Sequence, residues 1–204
     1  MSWKRSFGVG ARMSSGADVT MDTLLLSRMA TPIGEMLLIS DEESRLLVLD
    51  WTDHEDRMER LLIRRHREPV RLAQGSPPSG IREPLEAYFD GDLRALERIA
   101  IRTHGTLFQV RVWEALRGIG PGETRTYGQV AVEIGQPKAL RAVGLANGSN
   151  PIGLVVPCHR VIGADGSLTG YGGGLERKRW LLKHERALGF CDSNPPLLFA
   201  LYAP

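Results

Sequence analysis

Residues Leu24 to Trp51 read LLLSRMATPIGEMLLISDEESRLLVLDW, three apolar runs separated by TPIG and DEES. One interruption carries a proline and a glycine and the other short polar side chains, so both have the chemistry of tight turns. Apolar runs of strand length joined by such turns predict a small antiparallel meander. Other apolar runs, such as Leu154 to Pro157, are also strand-sized, and none approaches the ~18 residues that a membrane span needs. A chain of 204 residues with 42% apolar content can bury a real core, as one large domain or two small ones.

After the meander, DHEDRMERLLIRRH has its acids first and its bases last, with Met58, Leu61 and Leu62 spaced for one face. That is a helix ordered along its own dipole. AQGSPPSG reads as a linker, IREPLEAYFDGDL as a short helix with Leu85, Tyr88 and Phe89 inward, and ERIAIR as a further strand.

From Gly105 the texture changes. GTLFQVRVWEAL places Phe108, Val112, Trp113 and Leu116 on one helical stripe behind Thr106, an N-cap residue, and GIGPGETRT is a loop. A short helix from about Tyr127, a turn at Gly135-Gln136-Pro137, and a second helix from about Lys138 to Asn147-Gly148 form a helix-turn-helix candidate. The second helix carries Ala139, Ala142, Gly144 and Ala146 around Arg141, so another backbone can approach it closely. Packing against a neighbouring helix is the competing explanation for those small residues.

Charge divides the same way. Residues 1–102 hold 15 basic and 17 acidic side chains, a net −2, and residues 103–190 hold 11 and 6, a net +5. The second half is therefore the expected partner of a polyanion. Residues 1–20 are expected to be a disordered leader, with Met13 or Met21 as alternative starts, and 191–204 a C-terminal tail. Residues 21–102 are expected to form an N-terminal α/β domain and 103–190 a C-terminal domain.

The two cysteines, Cys158 and Cys191, make no disulfide framework and fit a reducing, cytoplasmic setting. The five histidines show no metal-ligand spacing. Cys158 follows Pro157 and precedes His159. A thiol is mostly protonated at neutral pH, so a nucleophilic cysteine needs a base nearby. In a strand running through Val155-Val156, adjacent side chains point to opposite faces, so contact between Cys158 and His159 needs a bend or a bridging water. Glu185, in LERKRWLLKHERA, is the acid placed to hold the imidazole. The alternative, an inert buried cysteine, stays open at this point. Cys191 is expected to be a bystander.

The combination TYGQVA, GQPKALRAVGLANGSNPIGLVVPCHRVIG and GSLTGYGGGLERKRWLLKHE resembles the methylated-DNA–protein-cysteine methyltransferases, the O6-alkylguanine-DNA alkyltransferase family. The likeness runs from about Leu107 to Arg186, and ATPIGEMLLIS with LEAYFDGDL resembles that family's N-terminal domain. It implies an α/β fold with an N-terminal ribonuclease-H-like sheet domain (21–102) that is a supporting domain, and a mainly helical C-terminal domain (103–190) with a helix-turn-helix that carries the chemistry. It implies direct, stoichiometric transfer of the alkyl group from O6-alkylguanine to Cys158. His159 would be the base through a water, Glu185 its orienter, Asn150 the hinge of the cysteine loop and Tyr127 the proton donor. The partner would be double-stranded DNA containing O6-alkylguanine, with Arg141 entering the stack from the minor groove beside Ala139, Ala142 and Tyr127. Pro157, Val161, Tyr171 and Gly172 would line the pocket. No cofactor, no metal and no membrane are implied, and the protein is expected to be a monomer.

Two positions depart from some relatives: Gly172 stands where they carry serine, and Gly153 where they carry proline. Gly172 could then offer only its N–H, and Gly153 would leave the pocket wall more open. Two other classes compete, a sensor of alkylated guanine that does no chemistry and a cysteine hydrolase using Cys158 and His159.

Overall fold

The computed structural model describes residues 22–65 and 70–190. The expected leader and tail, Cys191 and His66 lie outside them.

The predicted meander forms as β1 (Thr23–Thr31), β2 (Gly34–Ser40) and β3 (Leu46–Trp51), each pair antiparallel. Strict alternation along β2 explains the layers. Met36 and Leu38 join one apolar cluster, while Leu37 and Ile39 join another on the opposite face. The predicted helix α1 (Glu55–Arg65) covers the second face with Met58 and Leu62. The first face meets α2 (Ser79–Phe89), through Ile81, Leu85 and Tyr88, and most of the buried side chains of the second half. One buried cluster thus runs from Met36 and Leu38 to Val112, Trp113, Cys158 and Leu181 without a break.

Two assignments in this half change. Arg71–Gln74, partly inside the expected linker, is β4, which pairs in parallel with β1 to complete the order β3-β2-β1-β4. Only Leu72 of its four residues is buried, so the run carries no local alternation signal. The expected strand at ERIAIR is instead a 3-10 turn at Ala95–Arg98 followed by a single parallel bridge from Ile101 to Leu46.

The second half is built on α3 (Leu107–Arg117), begun by a capping box in which Thr106 and Gln109 satisfy each other's backbone N–H groups. Thr126 and Gln129 repeat that device at α4 (Tyr127–Glu133). After a turn, α5 runs over Leu140–Gly148, two residues later than the sequence predicts. Ala139 is its N-cap rather than part of it, because a turn from Gln136 occupies residues 136–139. Inside the expected loop GIGPGETRT, β5 (Arg125–Thr126) pairs in parallel with β6 (Val161–Ile162) and ties the start of α4 to the chain just after the cysteine. Helix α6 (Leu175–His184) closes the structure.

The edge of β3 is covered by residues 100–102, at the end of the first half, and by residues 151–153 of the second. Leu46 pairs with residues 100–102, and Leu49 N–H donates to Pro151 O while Gly153 N–H donates back to Leu49 O. Covering an edge removes a row of unpaired backbone groups. Here it also seats the chain immediately before the cysteine on the N-terminal sheet.

Candidate active site

Residues 150–157 form a compact turn rather than the expected strand, with Leu154 at φ 69. Asn150 is completely buried and closes it from inside. Its Nδ2 donates to Val156 O at 2.8 Å and its Oδ1 accepts from Ile152 N–H at 3.1 Å. Cys158, 4% exposed, then opens a 3-10 turn over Cys158–Arg160.

That turn sends His159 into the core, where Nε2 lies 3.0 Å from Glu185 Oε1. Arg160 donates to both Glu185 oxygens at 2.8 Å and to Ile119 O at 2.5 Å. Tyr88 also donates to Glu185 Oε1, at 2.8 Å. Burial alone would raise the Glu185 carboxyl, but His159 and Arg160 outweigh it and hold the group well below the usual carboxylate range. An ionised carboxylate has no proton to give, so the hydrogen in the His159 pair is on Nε2. Burial, aided by the charges of Arg160 and Lys178, lowers His159 and keeps it neutral. Its Nδ1 is then a lone-pair acceptor, and it is buried with no hydrogen-bond partner in the structure. Burial raises the Cys158 thiol, against the lowering pull of Asn150, Arg57 and Lys178. The resting site is therefore a buried thiol and, next to it in the same 3-10 turn of the chain, a neutral base with a fixed carboxylate behind it.

Tyr127, the first residue of α4, reaches the same place from the other side. Its hydroxyl bonds Thr169, and burial pushes the phenol up, so it remains a proton donor. Tyr171 sets its ring edge-on to His159, 6.2 Å between centroids. Pro157 and Val161 are buried beside the cysteine. Arg141 and Ala142 are exposed on α5, whereas Val143 and Ala146 pack inward and Ala146 O accepts from the Trp113 indole. The small residues thus divide between an open surface and helix packing.

The structure adds residues that the sequence does not single out. Arg57, on α1, pairs with Asp50 at 2.5 Å and donates to Gly148 O and Asn150 O at 3.1 and 2.9 Å, clamping the hinge. It also lies under the pocket loop, and a Cβ added at Gly172 would sit 2.5 Å from its Cζ. A serine there would press on a guanidinium already committed to three partners. A Cβ at Gly153 would meet only ordinary contacts, 3.6 Å from Leu49 O and 3.9 Å from the Tyr171 hydroxyl, so that wall does have room. Lys178 is fully buried and donates to Val161 O and Thr169 O at 2.5 and 2.6 Å, joining β6 to the loop that meets Tyr127. Burial pushes its ammonium down to about 8. Two local signals exist for these: Asp50 interrupts the apolar run of β3, and Lys178 shares a helical stripe with Leu181 and Leu182.

Among the described residues no group of three or more metal-ligating side chains converges, and no helix is long and apolar enough to cross a membrane.

Comparison with known proteins gives a consistent result across the chain. The family profile described as 6-O-methylguanine DNA methyltransferase, ribonuclease-like domain, matches residues 24–103, and that for the DNA binding domain matches residues 107–187. A methylated-DNA–protein-cysteine methyltransferase of Salmonella typhimurium is 48% identical over 163 residues, 79% of this chain and 95% of that protein. One from Mycobacterium tuberculosis is 58% identical over 114 residues, 56% of this chain and 68% of that protein. The crystal structure of Mycobacterium tuberculosis OGT in complex with DNA superposes with a TM-score of 0.65 at 43% identity, covering 79% of this chain and 92% of the other.

Proposed function

The chain belongs to the 6-O-methylguanine DNA methyltransferase family, and from that premise we propose that it repairs DNA by moving the alkyl group of O6-alkylguanine onto its own Cys158, once per molecule. Methyl transfer from methylated DNA to a protein cysteine is the activity of the family, and the ribonuclease-like and DNA-binding domains are its fold. The observation that carries the choice of acceptor is the arrangement of Cys158, His159 and Glu185: a buried thiol is followed, in one 3-10 turn, by an imidazole whose Nε2 is held by an ionised carboxylate and whose Nδ1 is unbonded.

The reaction balances as follows. The thiol proton passes through a water to His159 Nδ1, sulfur forms a bond to the alkyl carbon, and the carbon–O6 bond breaks. The departing guanine takes a proton from Tyr127. The imidazolium proton returns to the Tyr127 phenolate through solvent once DNA leaves. Cys158 ends as a thioether, which has no ionisable proton and no route back, so one protein accepts one group. Asn150 holds the loop that presents the sulfur, and Glu185 positions the base.

A thiol only 4% exposed cannot reach a base inside a duplex, so the lesion has to leave the stack. Support for the means comes from α5, which has no acidic residue and exposes Leu140, Arg141, Ala142 and Leu145 together. In the proposed complex this face enters the minor groove, and Arg141 fills the space of the extruded nucleotide. Monomeric action on DNA is part of the same proposal.

The test is intact-protein and peptide mass spectrometry after mixing the protein with a duplex containing one O6-methylguanine. One methyl on the Cys158 peptide, and never two per protein, is expected. Lesion binding without modification would leave a damage sensor and overturn the proposal. For the wedge, Arg141→Ala should slow transfer from the duplex by about tenfold to a hundredfold while changing attack on free O6-benzylguanine little, since only the duplex requires flipping. Equal loss on both substrates would remove Arg141 from that role.

A further inference from the structure

The carboxylate that holds His159 is itself held from the half of the chain expected only to support the site. Tyr88 lies near the end of α2, is fully buried, and donates from its hydroxyl to Glu185 Oε1 across a separation of 97 residues. Nothing about it is loose. Its ring stands edge-on to Phe89 at 5.3 Å and to His184 at 5.1 Å, and its carbonyl lies 2.8 Å from His184 Nε2. His184 and Glu185, successive residues at the end of α6, therefore engage the backbone and the phenol of the same tyrosine.

Glu185 Oε1 gathers three partners: His159 Nε2, Arg160 Nη2 and the Tyr88 hydroxyl. Arg160 also occupies Oε2, which sets the plane of the carboxylate. Resting on the alkyl-transfer reading above, we propose that Tyr88 is a positioning residue for that reaction, its hydroxyl sharing Glu185 Oε1 with His159 so that the imidazole stays fixed with Nδ1 free to take the Cys158 proton.

Sharing matters because an oxygen that serves three donors offers less to each. Without the phenol, the carboxylate would turn more fully to His159 and favour the imidazolium, which cannot accept the thiol proton. The other groups around the pair are Arg160 and Lys178, both cationic and both lowering His159, with the Tyr171 ring edge-on to the imidazole. Arg57 acts on the thiol rather than on the imidazole. Burial and the Glu185 charge push the Tyr88 phenol far up, so it is a donor throughout the working range.

The experiment is the single-turnover rate of methyl transfer as a function of pH for the full chain and for Tyr88→Phe, which removes one oxygen from a packed ring. The variant is expected to react about threefold to tenfold more slowly at neutral pH, the effect of one hydrogen bond. Its acid limb should move up by about half to one pH unit, because His159 now binds a proton more readily. It should still finish with one methyl on Cys158. Substituting 3-fluorotyrosine at position 88, which keeps the packing and makes a stronger donor, should move the limb down. A Tyr88→Phe profile that scales uniformly, with no shift of the limb, would overturn the assignment and leave Tyr88 as packing, whatever happens to the melting temperature. If the unmodified protein itself gains no methyl on Cys158, the alkyl-transfer reading fails instead.

Discussion

Cys158→Ala protein incubated with duplex containing O6-methylguanine is expected to leave every methyl group on the DNA, a loss of transfer with no measurable remainder. Cys158 is the one free cysteine among the described residues, and alanine offers nothing for the carbon to bond. The fold should survive, since the change removes one small buried atom and costs about 1 kcal/mol. For a chain of this size that is a fall in melting temperature of roughly 2–4 °C. Duplex affinity should stay close to that of the parent, because the surface of α5 lies apart from the buried thiol. Residual methyl uptake by the variant, found on any other peptide, would show that Cys158 is not the acceptor.

Glu185→Gln should be the most damaging single-atom change in the protein. The amide nitrogen must replace one carboxylate oxygen, and both oxygens already receive donors, from Arg160, His159 and Tyr88. A donor then faces a donor, and the buried Arg160 charge loses its counterion, which costs about 3–5 kcal/mol. A drop in melting temperature of about 10 °C follows at neutral pH. Transfer should fall by on the order of a thousandfold, since an amide that donates to His159 Nε2 forces the proton onto Nδ1 and removes the base. The acid response changes too. A folded carboxyl below its unfolded value stabilises the native state fully above the unfolded glutamate range, near ~4.3, and that stability is lost as pH falls toward the lower folded value. The parent should therefore lose stability across that acidic window, and the variant should show a flatter curve there, readable as melting temperature against pH. A variant as stable as the parent at neutral pH would mean that the Arg160 pair contributes nothing net.

The candidate site was legible in the sequence wherever its signal was local. Cys158, His159 and Asn150 sit within ten residues, and the turn between them follows from Asn150 bonding its own neighbours Ile152 and Val156. Glu185 could be nominated as the acid best placed in the last helical segment. Its remaining partners could not, because Tyr88 is 97 residues from it and Arg57 is 93 from Asn150. The fold divides similarly. Alternation in β2 and the Thr106 and Thr126 capping boxes are written in spacings of two and three residues. Strand β4 and the pairing of β5 with β6 have no such spacing, since each is a strand only because a distant segment supplies its hydrogen bonds.

By itself, then, the sequence determined the meander, the helices, the candidate nucleophile with its candidate base, and the exposed helix that carries Arg141. Each depends on side-chain periodicity or on bonds between near neighbours, which any chain with those residues will form. Only the tertiary structure decided that the edge of β3 carries the cysteine loop, that Arg57 clamps its hinge beneath Gly172, and that Tyr88 and Arg160 join His159 on the Glu185 carboxylate. Those contacts arise when one continuous core closes over both halves of the chain. The burial that then makes an unpaired polar group costly is what selects each partner.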